Sequence, residues 1–201
     1  MTANPKLVLA SGSASRRRLL EAAAVPFEAA PAAVDEEEVK LAMKAEGADP
    51  FEVAEALAEL KAQRVSPRFP GALVLGADQL LVCEGEWFDK PVDMAGAADH
   101  LRKLSGRRHS LLTVLCLVRD GTRIWHHRDE ARLTVRPLGE DFIRDYLEEV
   151  GEAALGSVGA YQLEGRGIQL FTEISGDFFG ILGLPLLPLL EMLRLHKVLA
   201  T

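Results

Sequence analysis

Three serines and an arginine follow the apolar run 7–10 at close spacing, in Ser11-Gly12-Ser13-Ala14-Ser15-Arg16. A strand leading through such a turn into a helix leaves backbone N–H groups unpaired, and serine hydroxyls cap them. Backbone donors, hydroxyls and a guanidinium at one helix start form a phosphate site. Arg16, Arg17 and Arg18 all fall in the first helical turn, where the positive end of the dipole disfavours each by roughly 0.3–1 kcal/mol. An anion held there would remove the conflict; the alternative is a capped surface helix with solvated arginines. Helical spacing separates the three. Arg16 precedes Leu19 and Leu20 by three and four residues and so begins the apolar stripe that continues through Ala23 and Ala24. Arg17 and Arg18 fall beside Glu21 as surface pairs.

Other candidates lie further along. Asp78 follows the apolar run 72–76, and a carboxylate at a strand's end lines the crevice where α/β sheets bind ligands. Taken alone it also fits an aspartate capping a loop. Lys61 lies one turn below Leu57 on a helical stripe, Lys90 precedes Pro91, and Glu36 sits in the acidic run Asp35-Glu36-Glu37-Glu38. Each has a bland reading as a snorkelling or solvated side chain. Together they suit a magnesium-bound polyphosphate, with acids for the metal and bases for the oxygen anions. The chain has no Gly-Lys-Ser/Thr phosphate loop, dinucleotide fingerprint, His-Glu-x-x-His or nucleophile elbow. His126 and His127 are adjacent, which fits a strand edge better than a metal site.

The elements that must position these residues are readable in outline. Extended pieces are expected at 7–10, 27–34, 72–76, 80–83, 110–118, 122–127, 131–135 and 171–174, with helices from Arg16 and over 51–65, 95–104, 140–149 and 186–195. The stripe of the 51–65 helix is read as Val53, Ala56, Leu57 and Leu60, and Pro67 and Pro70 stop it. Gly85 and Asp120-Gly121 mark hairpins, and 156–167 is rich in glycine. Strands and helices intermix without strict alternation, which predicts an α/β fold on a mixed sheet.

At 201 residues and 48% hydrophobic, the chain can bury one good core. A net charge of −7 argues against a nucleic-acid polymer as partner and leaves room for a small phosphorylated ligand. Cys83 and Cys116 lie in apolar runs without metal-ligand spacing, as expected of reduced core residues in a cytoplasmic protein. No signal peptide is evident, and no apolar segment approaches the roughly 20 residues of a membrane span.

In this order and spacing the motifs resemble the Maf family of nucleoside triphosphate pyrophosphatases. The matching stretches are Leu9-Ala10-Ser11-Gly12-Ser13 with Arg16, Val34-Asp35-Glu36, Lys61-Ala62, Gly76-Ala77-Asp78, Lys90-Pro91, Leu104-Ser105-Gly106 with His109 and Thr113, Gly159-Ala160-Tyr161 with Gly165 and Gly167, and Gly183-Leu184-Pro185-Leu186. The resemblance spans Leu7 to Arg194. It implies one Maf-like domain over 1–201, a mixed twisted sheet with flanking helices and two lobes around a central cleft, and usually a homodimer. It also implies cleavage between the α- and β-phosphates with a divalent metal cation such as Mg2+ or Mn2+. By position, Asp78 would be the catalytic carboxylate, a proton acceptor in family descriptions; Ser11, Ser13, Arg16, Lys61 and Lys90 would bind substrate, and Glu36 and Asp78 would serve the metal. A cation and lysines nearby are expected to lower the Asp78 pKa, favouring metal coordination and water orientation over free-base action.

Family subgroups differ at the positions of Ser15, Gln79 and Glu164. The dTTP/UTP group carries Arg, Thr and Gln there, and the 7-methylguanosine triphosphate group Trp, Gln and Glu. Gln79, Glu164 and the ending Leu190-Glu191-Met192-Leu193-Arg194 resemble the second group. A carboxylate can accept from both N1–H and the exocyclic amine of guanine, and it favours a methylated, cationic base. Ser15 departs from that group, since it offers no indole, so stacking is either weakened or supplied elsewhere, with Tyr161 a candidate. The rival readings are a dTTP/UTP pyrophosphatase, a phosphatase releasing orthophosphate, and a nucleotide-binding regulator of cell division without turnover.

Overall fold

The first apolar run is a buried strand, β1 (Leu7–Leu9), and the serine turn leads from it into α1 (Ala14–Ala22). These elements belong to a computed structural model that describes residues 5–200. There follow β2 (Glu28–Ala29), α2 (Glu36–Ala45), α3 (Pro50–Val65), β3 (Leu73–Cys83), β4 (Glu86–Phe88), α4 (Met94–Leu104), β5 (Arg108–Arg119), β6 (Thr122–Val135) and α5 (Glu140–Val150). Three tight 3-10 turns cross the glycine-rich passage before β7 (Phe171–Ser175), α6 (Phe178–Ile181) and α7 (Leu186–Leu195). The strands form one seven-stranded sheet in the order β2-β1-β3-β5-β6-β7, with β4 also on β3. β1 runs parallel to β2 and β3, while β4 and β7 pair antiparallel, so the sheet is mixed as expected.

The chain divides into two compact units, each assembled from separate stretches. One takes in the chain to Gln79, Thr113–Asp129, and everything from Phe178 on; the other is Leu80–Leu112 with Glu130–Asp177. In the first unit, strand alternation sorts the core. Leu7, Leu9, Leu73, Leu75, Ala77, Leu115 and Leu117 pack with Leu20 of α1 and Leu186, Leu189 and Leu193 of α7. Val8, Ala10, Val74 and Val118 pack with Ala62 and Val65 of α3. In the second unit α4 and α5 bury Leu101, Leu104, Ile143, Tyr146 and Leu147.

Several boundaries differ from the sequence reading, each for a physical reason. The runs 72–76 and 80–83 are one strand, β3, which continues through Ala77-Asp78-Gln79; Asp78 is therefore mid-strand rather than at a strand's end. The runs 122–127 and 131–135 likewise fuse into β6. Of the extended piece 27–34, only Glu28–Ala29 pairs. The acidic run is the first turn of a helix that was not anticipated. Asp35 caps α2 by accepting from Glu38 N, and Glu36, Glu37 and Glu38 sit where the dipole favours negative charge. The buried face of α3 is Val53, Ala54, Leu57, Ala58, Lys61, Ala62 and Val65, with Ala56 and Leu60 only half-buried on its flank. Arg17 and Arg18 are exposed. Both cysteines are free and buried. Among the described residues no helix is long and apolar enough to cross a membrane.

Candidate active site

The approach of α3 to β3 sets the geometry. Asp49 and Glu52 form a reciprocal capping box with Pro50 at the first helical position, so the start of α3 is fixed. Its face toward the sheet carries Ala54, Ala58 and Ala62, and the strand opposite carries Gly76. A Cβ on Gly76 would lie 1.9 Å from the Ala58 carbonyl oxygen, so only glycine permits this packing. Asp78 is two residues further along the same strand face. From α3, Lys61 Nζ reaches Asp78 Oδ1 at 2.6 Å and Glu36 Oε1, on the first turn of α2, at 2.8 Å.

Lys61 and Asp78 are both buried, while the Glu36 side chain is 44% exposed. Asp78 Oδ2 is buried without a hydrogen-bond partner. Burial raises the Asp78 carboxyl above the usual range; the charge and hydrogen bond of Lys61 oppose this, and Glu36 adds to it. Within the protein alone, desolvation thus outweighs the Lys61 ammonium, whereas the expected lowering depends on a bound cation as well.

Arg16 packs beside this pair. Ser13 caps α1 through its hydroxyl to Arg16 N at 3.4 Å, and Ser11 Oγ accepts from Ser13 N at 3.2 Å. The Arg16 guanidinium is buried, as its place on the stripe predicted. Nε donates to Gly183 O at 2.8 Å, and Nη1 donates to Ala77 O at 3.0 Å and Ser11 Oγ at 3.1 Å. Backbone carbonyls thus answer part of the Arg16 charge. Burial lowers the Arg16 pKa, and the charges of Asp78 and Glu36 oppose that. No protein hydrogen bond engages Nη2 among the described residues, which leaves it for an incoming oxygen anion.

Gln79 follows on β3. Its Nε2 faces Thr113 Oγ1 at 2.8 Å, Gly180 O at 3.0 Å and Ile181 O at 3.2 Å. Two of these acceptors are backbone carbonyls, so the amide orientation is fixed and Oε1 faces away as the available acceptor. Gly183 ends the α6 turn with φ of 89°, its N–H on Gly180 O and that of Leu184 on Phe179 O. This is a Schellman cap, which Gly183-Leu184-Pro185 foreshadows in the sequence. The sequence reading assigned no role to the Gly183 and Ala77 carbonyls or to Thr113.

Of the predicted site residues, the structure gathers Ser11, Ser13, Arg16, Glu36, Lys61, Asp78 and Gln79 within the first unit. Ser15 is half-buried in α1 of the same unit. Lys90 and Glu164 belong to the second unit, Lys90 exposed in the loop after β4 and Glu164 exposed in the turn before Arg166. Tyr161 is corrected: it is buried in that unit, meets Phe171 edge-on at 4.9 Å between centroids, and its hydroxyl lies 2.8 Å from His109 Nε2. It has no free face for stacking on a base.

A divalent cation fits the first-unit donors. Asp78 Oδ2 is a carboxylate oxygen without a partner, and Glu36 adds a second carboxylate on the other side of Lys61. Such hard oxygen donors suit magnesium or manganese, which bind through one or two carboxylates and complete their shell with water and phosphate oxygens. No group of three metal-ligating side chains occurs among the described residues.

The profile of a family described as Maf-like protein matches residues 6–196. The chain is 54% identical over 194 residues to a nucleoside triphosphate pyrophosphatase of Granulibacter bethesdensis, covering 96% of this chain and 98% of that one. It is 56% identical over 187 residues to a nucleoside triphosphate pyrophosphatase of Paramagnetospirillum magneticum, covering 93% and 96%. A 7-methyl-GTP pyrophosphatase of Rhizobium etli is 55% identical over 190 residues, covering 94% and 96%.

Proposed function

The chain belongs to the Maf-like protein family, and from that membership and the first-unit site we propose that it is a nucleoside triphosphate pyrophosphatase. It hydrolyses the bond between the α- and β-phosphates to give a nucleoside monophosphate and pyrophosphate. One observation carries the chemistry: Lys61 bridges two carboxylates, and the buried one keeps an oxygen without a partner. A site that only bound nucleotide would gain nothing from a desolvated, unsatisfied carboxylate, which costs stability.

Arg16 offers Nη2 to a phosphate oxygen while its other nitrogens are tied to Gly183, Ala77 and Ser11. Prior anchoring of this kind lowers the ordering cost of the transition state. Lys61 fixes the Asp78 and Glu36 carboxylates against each other. Asp78 would orient the attacking water and serve as its proton acceptor. Glu36 and Asp78 Oδ2 would hold the divalent cation, which when bound supplies Lewis-acid neutralisation of phosphate charge.

The base preferred is 7-methyl-GTP. Supporting this are Gln79 and Glu164, and relatives at 53–55% identity that carry that activity in their names. A carboxylate at position 164 suits a cationic guanine by its chemistry. The test is pyrophosphate release from dTTP, UTP, GTP, ITP and 7-methyl-GTP, with and without magnesium. Asp78→Asn is expected to lower turnover by at least about 100-fold, a general-base loss; near-normal turnover would remove Asp78 from the chemistry. Glu164→Gln is expected to shift preference toward dTTP and UTP, and unchanged relative rates would count against the methylated-guanine reading. The family also implies a homodimer, for which sedimentation velocity is the check.

A further inference from the structure

Thr113 is buried among leucines and valines of β5, in the run Leu111-Leu112-Thr113-Val114-Leu115. Valine has the same shape and would be the expected residue there, so the hydroxyl needs a reason. It has two partners. Thr113 Oγ1 accepts from Gln79 Nε2 at 2.8 Å and donates to Gly180 O at 3.1 Å. Because Gly180 O only accepts, the hydroxyl proton has one place to go, and the Gln79 amide fills the remaining lone pair. Gly180 O also takes Gly183 N–H at 2.9 Å, and Gly183 O in turn takes Arg16 Nε at 2.8 Å. The hydrogen bonds thus run unbroken from Thr113, through the Schellman turn, to the guanidinium.

We propose that Thr113 is a positioning residue for triphosphate binding: with Gln79 it clasps the Gly180–Gly183 turn and so aims the Arg16 guanidinium. This rests on the pyrophosphatase reading of the site and adds to it the residue that holds its phosphate-binding arginine. Arg16 lies at the end of a long, rotamer-rich side chain. Its two ties to backbone oxygen come from β3, which is rigid within the sheet, and from Gly183. The second tie is only as firm as the turn that presents it, and the turn is held to β3 and β5 through Gln79 and Thr113. Shared networks of this kind give coupled rather than additive effects.

The experiment measures binding of GTP carrying a methylene bridge between its α- and β-phosphates, with magnesium, beside kcat and KM for GTP. Thr113→Val is expected to weaken binding about tenfold, the loss of one buried hydrogen bond, and to raise KM more than it lowers kcat. Thr113→Ser keeps the hydroxyl and regains most of the loss. In an Arg16→Lys background Thr113→Val adds little further loss, because the aimed fork is already gone. Should Thr113→Val not fold, as judged by its melting curve, Thr113→Cys replaces it in the same comparison. Unaltered binding in Thr113→Val, full additivity with Arg16→Lys, or equal damage from serine would each overturn the clasp. If the unaltered chain binds the analogue yet releases no pyrophosphate from any triphosphate, the enzyme reading fails and the clasp stands.

Discussion

Lys61 and Asp78 form an ion pair in which both side chains are buried. Removing one partner from a buried ion pair strands the other charge, at a typical cost of 3–5 kcal/mol. Lys61→Met is therefore expected to lower unfolding free energy by about 3 kcal/mol, and Lys61→Met with Asp78→Asn to recover most of it. Denaturant titration of the two variants decides this; equal losses would mean that Asp78 does not depend on Lys61. His109 supplies a second constraint. It is 2% exposed, its Nδ1 has no partner, and burial pulls its pKa down to about 4. Unfolded histidine titrates near 6.5, so above that pH both states are neutral and nothing is lost. Between about 6.5 and 4 only the unfolded chain takes up the proton, and folding stability falls, by about 3 kcal/mol once pH 4 is reached. A His109→Gln variant measured over the same range should show a shallower decline, and parallel curves would dismiss this contribution.

At the level of elements, the approach of α3 to β3 and the ends of the helices carry the tests. Gly76→Ala drives a methyl into the Ala58 carbonyl. It is expected to cost about 3 kcal/mol, the upper end for overpacking, and to weaken triphosphate binding because Lys61 rides on the displaced helix. Retained binding with lost stability would show that Lys61 tolerates the shift. Ala24 ends α1 in a left-handed conformation, φ 51°, with its N–H on Glu21 O and that of Val25 on Leu20 O. A Cβ there costs about 1–2 kcal/mol, partly offset by the greater freedom of unfolded glycine. Ala24→Gly should therefore stabilise by roughly 0.5–1 kcal/mol, read as a higher Tm. Apolar periodicity made β1, α1, α3, β5 and α7 legible in the sequence. It failed at Asp78 and Gln79 because two polar residues inside a strand look like its end, yet Lys61 pairs one Asp78 oxygen there, and Thr113 and the α6 carbonyls hold Gln79. Local rules break where the chain places its chemistry. The start of α2 was overlooked because its acids read as a solvated run rather than as the first turn of a helix.

For the whole molecule, motif order announced the family while no single stretch did, since the first unit draws its site from α1, α2, α3, β3, β5 and the α6 turn, far apart in sequence. Arg16 meets Gly183 across 167 residues, a contact that periodicity cannot foresee. That dispersal ties ligand binding to global stability. The carboxylate of Asp78, the guanidinium of Arg16 and the ammonium of Lys61 exist in register only in the folded chain, so a ligand engaging all three binds the native state alone. At 100 times its Kd, such a ligand adds about 2.7 kcal/mol to folding, worth several degrees in Tm for a chain of this size. The chain carries a net charge of −7, and Asp78 and Glu36 stand beside the Arg16 guanidinium. Without a cation to screen these carboxylates, a triphosphate meets like charge at close range. The methylene-bridged analogue with magnesium is therefore expected to raise Tm, magnesium alone to raise it little, and the analogue with chelator to leave it unchanged. In Asp78→Asn, which lacks that charge, the analogue should stabilise even in chelator. Equal stabilisation of the unaltered chain with and without magnesium would mean that Glu36 and Asp78 do not share a cation with the substrate.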